Sequence, residues 1–576
     1  MTFVASPLPA DVDRFWLRKY PSDVPPTVEI PNVLLTELIE ASCHKWANHT
    51  ALEYYGAKWT YERFWAQSER FAAALRQNGV GPGDRVALYL PNCPLYPIAL
   101  FATLRLGAIV VQVSPLYLGQ DLSRILRDSG PKAIVTLEIL YPNVARIRAD
   151  YPIPVAFVAR LREFYPWYTR PFVNSVLRKR QLPTDFPNDP WVHPYSTAIR
   201  SQDRVDTYRA DPARTVAVYQ YTGGTTGVAK AAMLTHRNLV ANVTQGNSWN
   251  TSRVSGAEVI LASIPFFHVY GLTVCLLMGL ADGAAIVIQT RPEIRELLKL
   301  IDRYQPTQFP GVPALYNAFN QQPDIARHKI HSIRYCLSGS APLPIEVARR
   351  FESLTGGTLV EGYGLTETSP VTHVNPVHGE RRAGSVGLPL PNTDERVVDL
   401  ESGSRALAVG EVGELAVRGP QVMLGYFNHP DATAAVLRDG WFLTGDLARL
   451  DADGYAYIVD RKKDMINVGG MKVYPREVEE VLFQHPAVQD VAALGVPDAE
   501  HGEVVKAFVV KKPGTTVTAE GLIAFVRERI AHYKAPRTIE FRDSLPRSGV
   551  QKVLRRVLRD EETAPAPAAA ATLPAK

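Results

Sequence analysis

The chain has 576 residues, 46% hydrophobic and 21% charged, the composition of an ordinary soluble globular protein too long for one core; length alone suggests about three to four domain-sized units. A net charge of +5 over that length is too thin for a dedicated nucleic-acid binder, although it helps attract anionic substrates. Cys43, Cys93, Cys275 and Cys336 are scattered, with no CxxC and no histidine cluster, so neither a disulfide framework nor a zinc site is indicated and a reducing compartment fits best.

The N-terminus lacks a basic segment followed by an apolar core, and the longest apolar stretch, near Val269 to Ala281, is too short to span a bilayer, so a cytoplasmic protein is expected. Leu34 to Gly79 reads as helical, with Trp59-Thr-Tyr61 as a short strand between two amphipathic stretches. Val86 to Leu90 reads as a buried strand, Tyr96 to Leu106 as a helix stopped at Gly107, Ile109 to Val113 as a strand, Leu122 to Asp128 as a helix and Ala133 to Thr136 as a strand. That alternation implies a parallel sheet with helices on its faces. Between Leu161 and Arg180, aromatic residues (Phe164, Tyr165, Trp167, Tyr168, Phe172) mix with basic ones, a composition suited to loose contact with an anionic membrane surface, or to a loop and helix covering the sheet.

The stretch Tyr221-Thr-Gly-Gly-Thr-Thr-Gly-Val-Ala-Lys230 follows an apolar run. Its glycines free the backbone to curl, and its amides and hydroxyls can face an anion such as a polyphosphate. The P-loop template fails, because Gly227 is followed by Val228 and Lys230 by Ala231. Val259 to Ile264 reads as a strand ending at Pro265-Phe-Phe-His-Val-Tyr270, a place where α/β sheets keep ligands, followed by a helix from Gly271 to Leu280 and a strand from Ala284 to Ile288. Arg334 to Pro342 reads as a strand running into a small-residue turn that lets a flat ring approach the backbone. From about Arg382, short strands separated by Gly and Asp suggest a distorted β-barrel subdomain. After Asp464 the pattern becomes compact α+β: helices from Val478 to Gln484 and from Ala519 to Ala531, with strands from Val488 to Val496 and Val504 to Lys511. The Ala- and Pro-rich tail, 563–576, has too little to bury and is expected to be disordered.

The loop at Tyr221, with Glu361-Gly-Tyr-Gly-Leu-Thr-Glu367, Thr444-Gly-Asp446, Asp460-Arg-Lys-Lys-Asp464, Gly469-Gly-Met-Lys-Val-Tyr-Pro475 and Leu545-Pro-Arg-Ser-Gly-Val-Gln-Lys552 in that order, resembles the adenylate-forming superfamily, and most of all its bacterial long-chain fatty acid–CoA ligases. The resemblance runs from Trp16 to about Glu561. It implies an α/β fold: a large N-terminal domain (1–460) with parallel-type sheets and the β-barrel subdomain, a hinge (461–464), and a small mobile α+β C-terminal domain (465–562). It implies an ATP-dependent acid–thiol ligase working through an acyl-adenylate, with fatty acid, ATP and CoA as substrates and Mg²⁺ as cofactor. It implies no nucleic-acid partner, and a homodimer is left open.

The resemblance assigns Thr222, Gly223, Gly224, Thr225, Thr226, Gly227 and Lys230 to the phosphates, and Gly339, Ser340 and Ala341 to the adenine wall. Glu361, Gly362, Tyr363 and Gly364 are placed at the nucleotide, Tyr363 stacking on adenine, and Asp446 and Arg461 at the ribose or phosphate. His268 lies beside the carboxylate and acyl group, and Tyr270, Gly311 and Val312 line the acyl pocket. Glu367 with Thr226 ligates the metal, and Thr366 reaches the α-phosphate, where an attacking carboxylate needs cations and N–H donors aimed at developing charge. Lys463 is the hinge, Gly469, Gly470 and Lys472 face CoA, and Lys552 bridges the carboxylate and α-phosphate oxygens; Gln551 stands where the family pattern has glycine. Alternative readings are a medium-chain or aryl acid–CoA ligase, an acyl-AMP ligase loading a carrier protein, or, with Gln551 as its sign, an inactive acyl or nucleotide binder.

Overall fold

The computed structural model of the chain describes residues 12–222, 229–498, 500–548 and 553–563. The chain groups into two compact units, one of Met1–Arg396, Ala416–Thr444 and Leu450–Tyr457, the other of Val397–Leu415, Gly445–Arg449 and Ile458–Lys576.

The first unit is α/β, built on three sheets. Its eight-stranded sheet runs, edge to edge, through Gly425–Tyr426, Lys230–Thr235, Val216–Thr222, Ile109–Val113, Arg85–Tyr89, Ala133–Leu137, Val155–Ala159 and Val192–Pro194. From Val216–Thr222 onward every pairing is parallel, as the strand–helix alternation predicts, and the strand cores are continuous apolar runs because helices cover both faces. Ala87, Val111, Ile134 and Val158 are inaccessible to solvent at its centre. A second sheet orders Val259–Ala262, Ala285–Ile288, Thr50–Tyr54 and Ala57–Thr60; a third orders Tyr335–Ser338, Thr358–Gly364, Val371–Val374 and Leu388–Pro389. Gln308 bridges the two, pairing in parallel with Ile260 and with Tyr335. The short strands expected after Arg382 include Asp394–Val398, Gly413–Arg418, Trp441–Leu450 and Ala456–Arg461.

Three expectations are corrected. Leu34 to Gly79 is not helical around one short strand: helices Leu35–Lys45 and Tyr61–Gln77 flank a hairpin, Thr50–Tyr54 against Ala57–Thr60. Tyr55 and Gly56, with φ of 46° and 95°, make the tight turn that local helix propensity gave no warning of. The segment after Tyr270 is wound as a wider π-helix over Gly271–Leu277, and only Met278–Ala281 is α-helical. A Cβ on Gly271 would sit 2.2 Å from the Pro265 carbonyl oxygen, so this entry requires glycine. The helix at Ala519 ends at Arg527, short of Ala531.

Leu161 to Arg180 becomes a 3₁₀ turn, Leu161–Phe164, and a helix, Arg170–Lys179, that buries Val173 and Leu177. Trp167, Tyr168 and Phe172 stay exposed at 78%, 63% and 73%. No helix among the described residues is long and apolar enough to cross a membrane, and all four cysteines are buried free thiols.

The second unit holds a compact α+β sheet ordered Met471–Val473, Ile466–Val468, Gly502–Lys511 and Val488–Asp498, with Thr538–Phe541 parallel to Gly502–Lys511. Helices Pro475–Phe483 and Ala519–Arg527 bury Val478, Leu482, Leu522 and Val526 against its Val491, Ala493, Ala507 and Val509. Period-3.6 apolar positions on the helices meet period-2 positions on the strands.

Candidate functional site

Phosphate-loop residues Gly223, Gly224, Thr225, Thr226 and Gly227 lie outside the described residues, and so do Gln551 and Lys552. The flanks of both segments are ordered. Strand Val216–Thr222 pairs antiparallel with Lys230–Thr235 in a register that sets Thr222 opposite Lys230, and Thr222 Oγ1 donates to the Lys230 carbonyl at 3.3 Å. The two strands that flank the Gly/Thr segment thus form a hairpin, with Gly425–Tyr426 paired outside Lys230–Thr235. Around Lys552, Arg547 and Val553 pair antiparallel, and the Leu554 N–H donates to the Pro546 carbonyl at 2.8 Å.

Glu367 comes to the foot of that hairpin through the strand Thr358–Gly364. The strand bulges between Tyr363 and Gly364, and a Cβ on Gly364 would lie 2.0 Å from the Pro370 carbonyl oxygen, so glycine permits the reversal into the 3₁₀ turn Thr366–Thr368. The Met423 N–H donates to the Glu367 carbonyl at 2.8 Å, and the Tyr426 hydroxyl donates to Glu367 Oε1 at 2.7 Å. Tyr426 sits on an edge strand whose register places it opposite Ala232, and its ring lies 5.5 Å beneath Lys230 Nζ. Burial and the Glu367 charge push the Tyr426 hydroxyl well above its ordinary pKa, so it stays a donor at physiological pH. Lys230, Tyr426 and Glu367 form one cluster. Thr366 shares its turn, and Tyr363 stands edge-on to His373 at 5.9 Å.

The adenine-wall candidates follow strand Tyr335–Ser338, which runs parallel to Thr358–Gly364 with Ser338 opposite Glu361. The Gly339 N–H donates to the Gly311 carbonyl at 3.2 Å, Ser340 adopts φ 70°, and the Leu343 N–H donates to the buried Glu361 carboxylate at 3.2 Å, closing the turn that holds Ala341. Gly362 packs on Leu337, whose Cδ1 a Cβ there would meet at 2.7 Å. The buried Tyr270 hydroxyl reaches the Leu337 and Gly311 carbonyls at 2.6 and 3.1 Å, and Gly339 lies in contact with its ring. Val312 is buried at the start of helix Pro313–Asn320. Tyr270, Gly311 and Gly339 therefore meet, with His268 two residues from Tyr270.

The Tyr270 N–H donates to His268 Nδ1 at 3.3 Å, which makes that nitrogen an acceptor and fixes the ring's orientation. The turn presenting His268 is held by residues that sequence reasoning missed. The Asn92 side chain bonds the Ile264 carbonyl at 2.9 Å and the Phe266 N–H at 2.7 Å, the Tyr96 hydroxyl donates to the Phe266 carbonyl at 2.7 Å, and Gln220 Nε2 donates to the Phe267 carbonyl at 2.9 Å. Nothing local marks Asn92, Tyr96, Gln220 or Tyr426, since each acts across more than forty residues of chain; only a polar residue directly after an apolar run, as Gln220 is before Tyr221, offers a signal.

In the second unit Asp446, 2% exposed, pairs with Arg461 at 2.6 Å. Lys462 pairs with Glu414 at 2.9 Å and Asp464 with Arg559 at 3.3 Å, so Lys463, exposed like Lys462, stands in a turn whose neighbours are paired. Burial raises Asp460 to about 6 against the pull of Arg555, and its carboxylate accepts the Arg461 and Arg476 N–H groups at 2.7 and 2.8 Å. Gly469 and Gly470, with φ of 58° and 87°, form the two-residue turn of the hairpin that sets Asn467 opposite the exposed Lys472.

No group of three or more His, Cys, Asp or Glu side chains among the described residues could hold a metal by itself. A lone carboxylate such as Glu367 suits Mg²⁺, which takes one or two protein oxygens and completes its shell with phosphate and water.

The AMP-binding enzyme family matches residues 39–427, and the AMP-binding enzyme C-terminal domain matches residues 477–552. The chain is 42% identical to a long-chain-fatty-acid–CoA ligase of Bacillus subtilis (strain 168), over 95% of this chain and 98% of that one. It is 40% identical to a ligase of the same description from Escherichia coli O157:H7, again over 95% and 98%. Among solved structures, the anthranilate CoA ligase AuaEII in complex with anthranoyl-AMP superposes with a TM-score of 0.81 at 26% identity, covering 92% of this chain and 98% of that one.

Proposed function

Because the chain belongs to the family of AMP-binding enzymes, we propose that it is an ATP-dependent fatty acid–CoA ligase acting on long-chain acids, which converts acid, ATP and CoA to acyl-CoA, AMP and pyrophosphate. The observation that carries this reading is likeness to long-chain ligases along 95% of the chain, over a Lys230–Tyr426–Glu367 cluster at the foot of the Gly/Thr hairpin.

A carboxylate oxygen is a poor leaving group, so the acid is first made an anhydride with AMP. Its oxygen attacks the α-phosphorus of ATP, forming the O–P bond as the bond to pyrophosphate breaks. Two anions must be brought together, so the site needs cations and N–H donors aimed at the developing charge. The loop from Thr222 to Gly227 and Lys230 hold the phosphates, Thr366 reaches the α-phosphate, and Lys552 adds a cation there. Glu367, with Thr226, would hold Mg²⁺, which when bound neutralises phosphate charge. Gly339, Ser340, Ala341 and Tyr363 bound the adenine, Glu361 fixes their turn, and Asp446 with Arg461 takes the ribose hydroxyls. His268, its Nδ1 accepting the Tyr270 N–H, lies beside the substrate carboxylate and the Tyr270–Gly311–Val312 acyl pocket. In the second half-reaction the CoA thiolate attacks the acyl carbon and AMP leaves. Gly469, Gly470 and Lys472 serve that step, after rotation about Lys463.

Pyrophosphate release from ATP and palmitate, with CoA-dependent thioester formation, tests the reading. Release without a thioester until CoA is replaced by a carrier protein would make the chain an acyl-AMP ligase. No release with any acid would leave an inactive binder, and a preference for benzoate-like acids would favour the aryl reading, which the likeness to AuaEII keeps in view.

Exposed Trp167, Tyr168 and Phe172 at the N-terminal end of helix Arg170–Lys179, whose last turn carries Arg178 and Lys179, support peripheral contact with an anionic bilayer, aromatic rings at headgroup depth and cations against lipid phosphate. Trp167→Ala with Phe172→Ala should then reduce co-sedimentation with anionic vesicles; equal sedimentation would refute the contact.

A further inference from the structure

His373 stands outside the set of residues that hold substrate, yet its side chain is 0% exposed and meets a carboxylate that is equally closed to solvent. Its strand, Val371–Val374, pairs antiparallel with Thr358–Gly364, and the register sets His373 directly opposite Tyr363. Residues opposite one another on paired strands project from the same face of the sheet, so the two rings meet edge to face, centroids 5.9 Å apart and planes at 61°. A second path joins the same residues. His373 Nδ1 lies 2.8 Å from Thr372 Oγ1, and that hydroxyl donates to the Tyr363 carbonyl at 3.4 Å. His373 therefore reaches the Tyr363 ring directly and its backbone through one hydroxyl.

The imidazole is itself fixed. Its Nε2 lies 3.0 Å from Glu395 Oε2 on the strand Asp394–Val398, so both ring nitrogens are engaged and the ring cannot turn without losing a bond. Thr372 and Glu395 are buried with it, and Glu395 Oε1 has no hydrogen-bond partner among the described residues. A buried carboxylate and imidazole so incompletely satisfied add little to stability, since apolar side chains of similar volume would pack as well. What the pair supplies is a fixed orientation for the ring packed against it. Tyr363 is only half-buried, so part of its surface stays accessible to a ligand.

We propose that His373, anchored by Glu395, is a positioning residue that sets the Tyr363 ring for packing on a purine base and so governs nucleotide affinity through Tyr363. The inference rests on the placement of Tyr363 at the adenine. Without its edge partner the Tyr363 ring samples other orientations, and binding then has to restore one of them at the expense of affinity.

The test is equilibrium binding of ATP and of AMP to His373→Gln, alongside acid-dependent pyrophosphate release. Glutamine still offers an N–H to Glu395, so no carboxylate is left buried and unpaired, while the ring beside Tyr363 is gone. Kd for both nucleotides should rise about fivefold, equally for AMP because the contact concerns the base and not the outer phosphates, and KM for ATP should follow. The kcat at saturating ATP, and KM for palmitate and CoA, should stay within about twofold of wild type, a split that a merely structural role would not produce. In a Tyr363→Leu background His373→Gln should change nothing further. Unchanged Kd in His373→Gln, or a loss of the same size in the Tyr363→Leu background, overturns the proposal. If His373→Gln does not fold, Glu395→Gln, which keeps the ring and weakens its anchor, should raise both Kd values about twofold, and unchanged values there overturn it. If the wild-type chain releases no pyrophosphate with any acid but binds ATP more tightly than His373→Gln does, the pair stands and the ligase reading falls; if it binds neither nucleotide, both fall.

Discussion

Tyr426→Phe removes one oxygen from the site and leaves the ring that lies under Lys230. What is lost is the 2.7 Å hydrogen bond to Glu367 Oε1. A hydrogen bond to a charged group contributes about 1.5–3 kcal/mol, and because Tyr426 and Glu367 are both half-buried, water replaces part of it, so the lower figure applies. About 1.5 kcal/mol is roughly a tenfold change. If the bond orients the carboxylate for Mg²⁺, the change should appear as about a tenfold rise in the Mg²⁺ concentration that half-saturates acid-dependent ATP–pyrophosphate exchange, recovered in excess metal. Thioester formation from supplied acyl-AMP, which involves no pyrophosphate, should change by less than about twofold. Glu367→Gln should cost more, with partial recovery in excess Mg²⁺, and the double variant should match Glu367→Gln alone because Tyr426 acts through that carboxylate. Unchanged half-saturation in Tyr426→Phe, or losses that add in the double variant, would refute the assignment of Glu367 and Tyr426 to one metal-holding unit.

Lys552→Ala should slow adenylation about 10²–10³-fold, with a smaller effect on thioester formation from supplied acyl-AMP; wild-type exchange kinetics would remove Lys552 from the chemistry. Lys463→Pro fixes φ near −65° in the turn whose neighbours are paired with Asp446, Glu414 and Arg559. Adenylation should stay within about tenfold of wild type while single-turnover thioester formation falls far more, and equal losses in both would exclude a hinge there. Glu138 is 1% exposed, and burial raises its carboxyl from 4.5 to about 7 although the Leu161 N–H donates to it at 2.8 Å. Because the native state binds this proton more tightly than the unfolded chain, stability is lost as pH rises from 4.5 to 7, by about 3 kcal/mol in full. Glu138→Gln should therefore raise the unfolding free energy at pH 8 by about 2 kcal/mol after the weaker bond to Leu161 is allowed for, and leave it unchanged at pH 4, as read from denaturant titrations; equal shifts at both would refute the raised carboxyl.

The parallel sheet was legible because its information is local: buried runs such as Val86 to Leu90 and Ile109 to Val113, spaced by helices, admit few other arrangements. The motifs were legible for a related reason, since Gly364 and the Gly469-Gly470 pair stand where a close backbone approach or a positive φ demands glycine, and such demands write themselves directly into residue type. The hairpin at Tyr55 was not, because Thr50–Tyr54 gains its stability by pairing with Ala285–Ile288, more than two hundred residues away, and that contact overrides local helical preference. The same holds for the groups that aim the site. Asn92 and Tyr96 on His268's turn, and Tyr426 on Glu367, are ordinary polar residues in sequence. Their meaning comes from burial and from a partner brought close only when the chain folds, because a hydrogen bond depends on angstroms in space and leaves no period or spacing in the chain.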